Sequence, residues 1–374
     1  MIYFDNQATT QLAPEVWEVM APLYQAQFGN PSASDTRRGR AASKLVNISR
    51  IQLASAVGTE PRNLIFTSGA TEANNLAIKG AMALQVKKNR PRVLTFSTEH
   101  KCVTASVQAC EEFGAKAEIL PVQRDGLINI SELEKVMDHR VGMISAMAVH
   151  NEIGVIQNLS RIGEIAERNG ALFHCDMAQA LGKIPVNLES LPIALASFSA
   201  HKAYGPMGIG ALYVRRRPKA HLQPLLHGGG QERGLRSGSL PLPLIAGFGK
   251  AAELAADYLE DDLTRIWKLR DRVLEVVSRL PSVHLNGHEE QRVPGNLNLR
   301  FEGMTQAQLR DGFRQFEFSR GSSCSAEDLE PSFVLSAMGL SHQQAASSIR
   351  LSIGRYTTEL DVEMLCAAME NLCL

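Results

Sequence analysis

The sequence predicts an α/β protein: a large domain with a mainly parallel central sheet flanked by helices, followed by a smaller α+β C-terminal domain. Two observations predict it. Apolar runs of strand length alternate with helical stretches up to about Pro241, the signature of strand–helix–strand units. Beyond Pro241 the texture changes to long helical periodicity and then to short strands mixed with helices.

The strands come first. "NLIFTS", "RVLTFST", "VGMISAMAV", "ALFHCDM", "LASFSA" and "GIGALYV" are short and rich in apolar and β-branched residues, as parallel strands buried on both faces are. Helical patterns such as "TEANNLAIKGAMALQV" and "LSRIGEIAERNG" lie between them, the second stopping at a glycine. In this architecture the loops leaving the strand C-termini meet along one edge, and ligands bind there. After Pro241, "LIAGFGKAAELAADYLEDDLTRIWKLRDRVLEVVSRL" holds helical periodicity over many turns until "PSVHLNG" breaks it, and "GNLNLRF" and "SSIRLSIG" read as strands. The expected division is a large domain over 16–255 and a small one built from 1–15 and 256–374. No repeat or low-complexity linker separates them, so a bending helix is expected at the boundary.

Composition excludes several classes of function. Lys+Arg and Asp+Glu both total 39 in 374 residues, so no net charge draws the chain to nucleic acid or anionic membrane, and no direct nucleic-acid binding is expected. No apolar run reaches the ~20 residues of a membrane span. The start, "MIYFDNQATT", lacks the features of an export signal, which points to the cytoplasm. The basic cluster "VRRRPK" reads as a solvated turn. Six cysteines are scattered, with no CxxC pair and no Cys/His spacing suited to a metal. Five read as small buried residues. Cys324, in "FSRGSSCSAEDLEP", differs: its neighbours are small and polar, as in a loop, and Arg320 could favour its thiolate.

Four further stretches carry candidate chemistry, each beside a plainer reading. In "FTSGATEANN", Gly69 permits a tight turn, and the amides of Ala70 and Thr71 at a helix start would suit a phosphate; a plain turn with Thr71 capping the helix fits as well. In "FHCDMAQALGK", Asp176 ends a buried strand with Gln179 three residues on, so its carboxylate must be heavily hydrogen-bonded or paired with a cation, one natural partner being a protonated ring nitrogen and the plainer one an arginine. His100, in "STEHKCV", could cover a flat cofactor or sit as a satisfied core histidine. "HGGGQERGLRSGSLP" permits close backbone approach to a ligand or another chain, or forms a flexible loop. Then "SFSAHKAYGPMGIGALYV" sets Lys202 between a small apolar strand and a rigid Gly-Pro turn, where an amine has little freedom to reach water. A phosphate site, a buried acid and a confined lysine on one sheet edge are together what pyridoxal 5′-phosphate requires.

Over nearly its whole length the sequence resembles the cysteine desulfurases of the NifS/IscS-like group, in the class V branch of fold-type I pyridoxal-phosphate enzymes. The likeness rests on "YFDNQATT", "FGNPS", "FTSGATEANNLAIKG", "TEHK", "NEIGVIQ", "DMAQALGK", "SAHKAYGPMGIGALYVRR", "GGGQERGLRSGSLP", "PGNLNL", "GSSCS", "LEPSFVLSAMGL" and "SSIRLSIGRYTT". It implies that Lys202 is the Schiff-base lysine and Cys324 the nucleophile that accepts sulfur from L-cysteine, leaving L-alanine and a persulfide for a sulfur acceptor. It further implies that His100 stacks on the cofactor and helps move protons, while Asp176 pairs with the ring nitrogen. Gln179 and Asn151 would lie near the ring hydroxyl, and Ala70, Thr71, Ser199 and His201 would hold the phosphate. Ser239 would reach that phosphate from the neighbouring subunit, implying a homodimer, and Arg350 with Asn151 would bind the substrate carboxylate. Related readings are a selenocysteine lyase or another class V aminotransferase or lyase. The sulfur acceptor could serve iron–sulfur cluster assembly, tRNA thiolation or DNA phosphorothioation. The sequence departs from the group at Thr36, His150, Ser239, Arg320 and Ser323.

Overall fold

The structure is a computed structural model that describes residues 1–216, 220–319 and 331–373. Cys324, Arg320 and Ser323 lie outside the described residues, as do three positions of the "VRRRPK" cluster. In chain order the strands are β1 (Ile2–Tyr3), β2 (Leu64–Thr67), β3 (Arg92–Phe96), β4 (Lys116–Leu120), β5 (Val141–Met147), β6 (Leu172–Asp176), β7 (Leu195–Ser199), β8 (Gly210–Val214), β9 (Val283–Leu285), β10 (Asn296–Phe301), β11 (Phe316–Glu317) and β12 (Ser348–Ser352).

Strands β2 to β8 form one sheet in the order β2-β8-β7-β6-β5-β3-β4. Every neighbouring pair is parallel except the two that involve β8, which runs against both β2 and β7. The expected mainly parallel sheet is therefore present, with "GIGALYV" as its one reversed strand. The turn after Lys202 is short, and a short connection can only return the chain antiparallel. The sheet also holds an edge strand, β4, that the apolar-run pattern did not reveal. Its side chains are half-buried or exposed, so it carries no continuous apolar run.

Helices cover both faces of this sheet, and apolar clusters fill each side. One centres on Phe66, Phe96, Phe173 and Phe198, the other on Ile65, Met82, Val93 and Leu212, following the alternation of side chains along the strands. Helix Ala70–Lys87 follows β2, and helix Lys101–Ala109 follows β3. Helix Arg37–Ala56 starts at Thr36, whose hydroxyl accepts a hydrogen bond from the Gly39 amide at 2.9 Å. The unusual threonine thus serves as an N-cap.

Helices Leu242–Asp257 and Leu259–Ser278 meet at Tyr258. Beyond them a second sheet runs β12-β10-β9, all antiparallel. Its own apolar cluster joins Leu269, Val273, Leu299, Phe301, Leu351 and Leu365 to Phe4 from the chain start. Strand β1 pairs with β11, and the Phe4 carbonyl accepts from the Ser352 amide at 2.6 Å, so residues 1–5 are stitched to the C-terminal part. Residues 5–10 then cross to the large sheet, where the Thr10 amide reaches the His201 carbonyl at 2.9 Å. That crossing segment positions the site. Among the described residues no helix is long and apolar enough to cross a membrane.

Candidate active site

Five loops leaving C-terminal strand ends of the large sheet converge on one cavity of about 470 Å³. They bring Ser68 to Thr71 after β2, His100 after β3, Asn151 after β5, Asp176 and Gln179 at the end of β6, and Ser199 to Lys202 at the end of β7. The opposite wall is Gln7 and Ala8 of the crossing segment and Arg350 of β12. All the predicted site residues among the described ones meet here except Ser239, which lies beside Phe28 and Thr36 in a separate surface cavity.

At one end of the cavity the Ala70–Lys87 helix begins. Its N-cap is Gly69, with no side chain capping it, so the first-turn amides stay open to the cavity. Thr71 is not the N-cap that the plainer sequence reading gave it. Gly69 has φ +156°, a conformation side chains disfavour, and Gly210 packs against it so closely that a Cβ there would lie 2.6 Å from the Gly69 Cα. Both glycines therefore shape the cradle. Glu72, in the first turn, accepts from the Ser68 amide at 2.7 Å and pairs with Arg236 at 2.8 Å. This neutralises a carboxylate that would otherwise repel an anion.

At the other end stands Asp176, 6% exposed. Its Oδ2 accepts from Asn74 Nδ2 at 2.7 Å and its Oδ1 from the Ala178 amide at 2.9 Å. Neither partner is charged, and among the described residues no arginine or lysine forms an ion pair with it. Among the described residues, then, no arginine fills the role that the plainer reading gave it. A buried carboxylate without a cation suits a ligand that brings one.

His100 caps helix Lys101–Ala109, its Nδ1 accepting from the Cys102 amide at 3.2 Å. The Cys102 thiol lies 3.0 Å from the same nitrogen, and burial, with Asp176 adding, pushes that thiol up to about 12, so it stays protonated as a donor. Two donors on Nδ1 assign the ring proton to Nε2. Burial lowers the imidazole's pKa below its ordinary value against the pull of Asp176, with Lys202 reinforcing the lowering, so the ring is neutral at pH 7.

Lys202 ends a short 3-10 turn and donates from Nζ to the Gln7 carbonyl at 2.8 Å and to the Ala8 carbonyl. Beside it, burial together with Lys202 and Lys183 holds His201 down to about 4; its Nδ1 lies 3.1 Å from Thr9 Oγ1. Arg350 donates to the Asn151 carbonyl at 2.8 Å and to Asp5 at 2.5 Å, while its Nε has no partner among the described residues. The unusual His150 is buried, donating to the Thr98 carbonyl at 2.7 Å and accepting from the Glu152 amide at 3.0 Å, so it braces the loop that carries Asn151.

Sequence reasoning missed several of these groups. Cys102, read as a plain buried cysteine, is on the cavity wall. Asn74, fully buried, bridges Asp176 and the Cys102 sulfur, which it meets at 3.2 Å. Its only signal was an asparagine on a helix face that should be apolar. Asp5 and Gln7 were quoted in "YFDNQATT" without a role, because their partners lie 345 and 195 residues away.

A family model for class-V aminotransferases matches residues 2–365, and the chain belongs to that family. Its cofactor is pyridoxal 5′-phosphate. The chain is 44% identical over 377 residues to the cysteine desulfurase IscS of Rickettsia typhi, covering 99% of this chain and 92% of that protein. A solved NifS-like protein superimposes with a TM-score of 0.91 at 33% identity, over 99% of this chain and 98% of that one. The solved structure of SspA in complex with cysteine gives 0.85 at 34% identity, over 96% and 100%. The site fits the cofactor: an uncapped helix start for its phosphate, a buried carboxylate with neutral donors for its ring nitrogen, a flat neutral imidazole, and a lysine on the same cavity wall.

Proposed function

We propose that this chain is a cysteine desulfurase that takes sulfur from L-cysteine, releases L-alanine and carries the sulfur as a persulfide on Cys324. The observation that supports this best is Asp176, a buried carboxylate with only neutral donors, sharing one cavity with Lys202 and Arg350. When bound, pyridoxal 5′-phosphate supplies an electron sink for the substrate's α-carbon.

The chain's own groups do the rest. The open amides of Ala70 and Thr71, with Ser199 and His201, would hold the phosphate; neutral His201 would add no surplus charge. Asp176 would hold a proton on the ring nitrogen, and Gln179 and Asn151 would be the groups near the ring hydroxyl. Arg350 and Asn151 orient the substrate carboxylate, since a guanidinium matches a carboxylate in two parallel hydrogen bonds. Lys202 Nζ, tethered at the Gln7 and Ala8 carbonyls, removes the α-proton, and His100 Nε2 serves as the proton carrier on the ring's face. The Cys324 thiolate would attack the substrate sulfur, forming the S–S bond as the substrate's Cβ–S bond breaks; that bond's electron pair stays with the carbon, which is protonated and leaves as alanine, so no free sulfide is released.

A homodimer completes the site in this reading, with Ser239 reaching the partner's phosphate site. Exposed Phe28, Ile48 and Ile51, near the Ser239 loop and on helix Arg37–Ala56, are apolar surface that a second copy would cover. We place the enzyme in the cytoplasm, serving a sulfur-acceptor protein. That acceptor would serve iron–sulfur cluster assembly, tRNA thiolation or DNA phosphorothioation.

Incubation with L-cysteine tests the proposal. Alanine and cyanide-releasable sulfur on the protein are expected in equal amounts in the first turnover. Cys324→Ser should keep the bound cofactor's colour but form no persulfide and lose at least about 10³-fold in turnover. Unchanged sulfur transfer in that variant would remove Cys324 from the reaction.

A further inference from the structure

Lys183 is a second lysine beside the cavity, four residues after Gln179 of its wall. Its amine donates to Gln179 Oε1, and Gln179 Nε2 donates to the Gln7 carbonyl at 2.8 Å. Lys202 donates to that same Gln7 carbonyl, also at 2.8 Å. Gln7 is anchored in turn, its side-chain oxygen accepting from Asn296 and its amide donating to Ser352 Oγ at 3.0 Å.

A glutamine amide can present either its oxygen or its NH2 group, and a single neighbour rarely decides which. Here both ends are fixed. With Oε1 taken by Lys183 and one N–H given to Gln7, the remaining N–H of Gln179 is the hydrogen-bonding group left for the cavity, whose wall Gln179 forms. Lys183 is not on the wall of the main cavity but lines a neighbouring one of about 40 Å³, together with Asn6, Gln7, Lys202 and Tyr204.

We infer that Lys183 is a positioning residue, which locks the Gln179 amide so that an N–H donor, not a carbonyl, meets the cofactor's ring hydroxyl oxygen. The inference rests on the pyridoxal-phosphate reading above. It asks for a donor and not for a charge. Burial, reinforced by Lys202 and Arg350, holds the Lys183 pKa well below that of an ordinary lysine, and a neutral amine donates as required. The other charges nearby are already paired, Arg350 with Asp5 and Arg355 with Asp262.

The test is a double-mutant cycle on the full-length protein, read by the dissociation constant for pyridoxal 5′-phosphate and the visible absorption maximum of the bound cofactor. Lys183→Met should raise the dissociation constant about tenfold and displace the maximum, the loss of one oriented hydrogen bond. In a Gln179→Ala background the same change should cost less than about twofold, because the group it positions is gone. Lys183→Gln, which keeps a neutral N–H donor, should retain the parent's maximum and covers the case in which Lys183→Met does not fold. Equal losses in both backgrounds, parental behaviour of Lys183→Met, or a displaced maximum in Lys183→Gln would each overturn the inference. A parent protein with no visible band would instead sink the cofactor reading itself.

Discussion

The cavity has two walls of different origin. One is made of strand ends of the large sheet, each followed within a few residues by its functional group: Thr71 after β2, His100 after β3, Asp176 on β6, Lys202 after β7. The other is the crossing segment Asp5–Ala8 with Arg350, held by hydrogen bonds that span up to 346 residues of sequence. The first wall follows from sheet topology and places chemistry. The second closes the site, and its contacts tie Arg350 and the lysine tether to the small sheet. Catalytic roles should therefore concentrate on the first wall, and binding and closure on the second.

The sharpest break in that comparison is on the first wall. Asp176→Asn keeps the shape but leaves no charge to hold a ring proton, so kcat should fall about 10²–10³-fold with KM nearly unchanged. Arg350→Lys, on the second wall, removes the fork while keeping the charge. KM for L-cysteine should rise about tenfold or more, with a smaller effect on kcat. If both variants changed kcat alike, the division between the walls would not hold.

Acid stability probes the loop behind Asn151. Burial holds His150 down to about 4, against an ordinary value of 6.5. Its folded pKa is depressed, so the unfolded chain binds the extra proton first as the pH falls. The associated stability is fully present above about pH 6.5 and is lost as pH falls through about 4, roughly 3 kcal/mol in all. Urea unfolding at pH 7 and pH 4.5 should show a smaller acid loss in His150→Asn than in the parent. The smallest effect lies farthest from the chemistry: Thr36→Ala removes an N-cap and should cost about 1 kcal/mol, measured by the same unfolding midpoint.

The same contrast explains what could be read from the sequence. The quoted apolar runs all contain the strands found, and the motifs at their ends reach one cavity, because the strand-to-loop order fixes both in a parallel sheet. The reversal of β8 follows from a connection too short for a crossover, a length that apolar pattern does not register. Edge strand β4 escaped because partial exposure removes the apolar run. Asn74 and Lys183 escaped for another reason: each is a polar residue whose partner is set by tertiary packing, and spacing along the chain carries no mark of it. Asp5 and Gln7 sit in a quoted motif, yet their tasks depend on where β12 and Lys202 fall in space.

The central claim is that Lys202, sharing one cavity with Asp176 and an open helix start, is the residue that binds pyridoxal 5′-phosphate covalently. Borohydride reduction of the loaded protein, followed by proteolysis and mass mapping, tests it directly. The phosphopyridoxyl mass should fall on the peptide containing Lys202 and on no other. Label on Lys183 instead, or a protein that takes up no cofactor at all, would contradict the account.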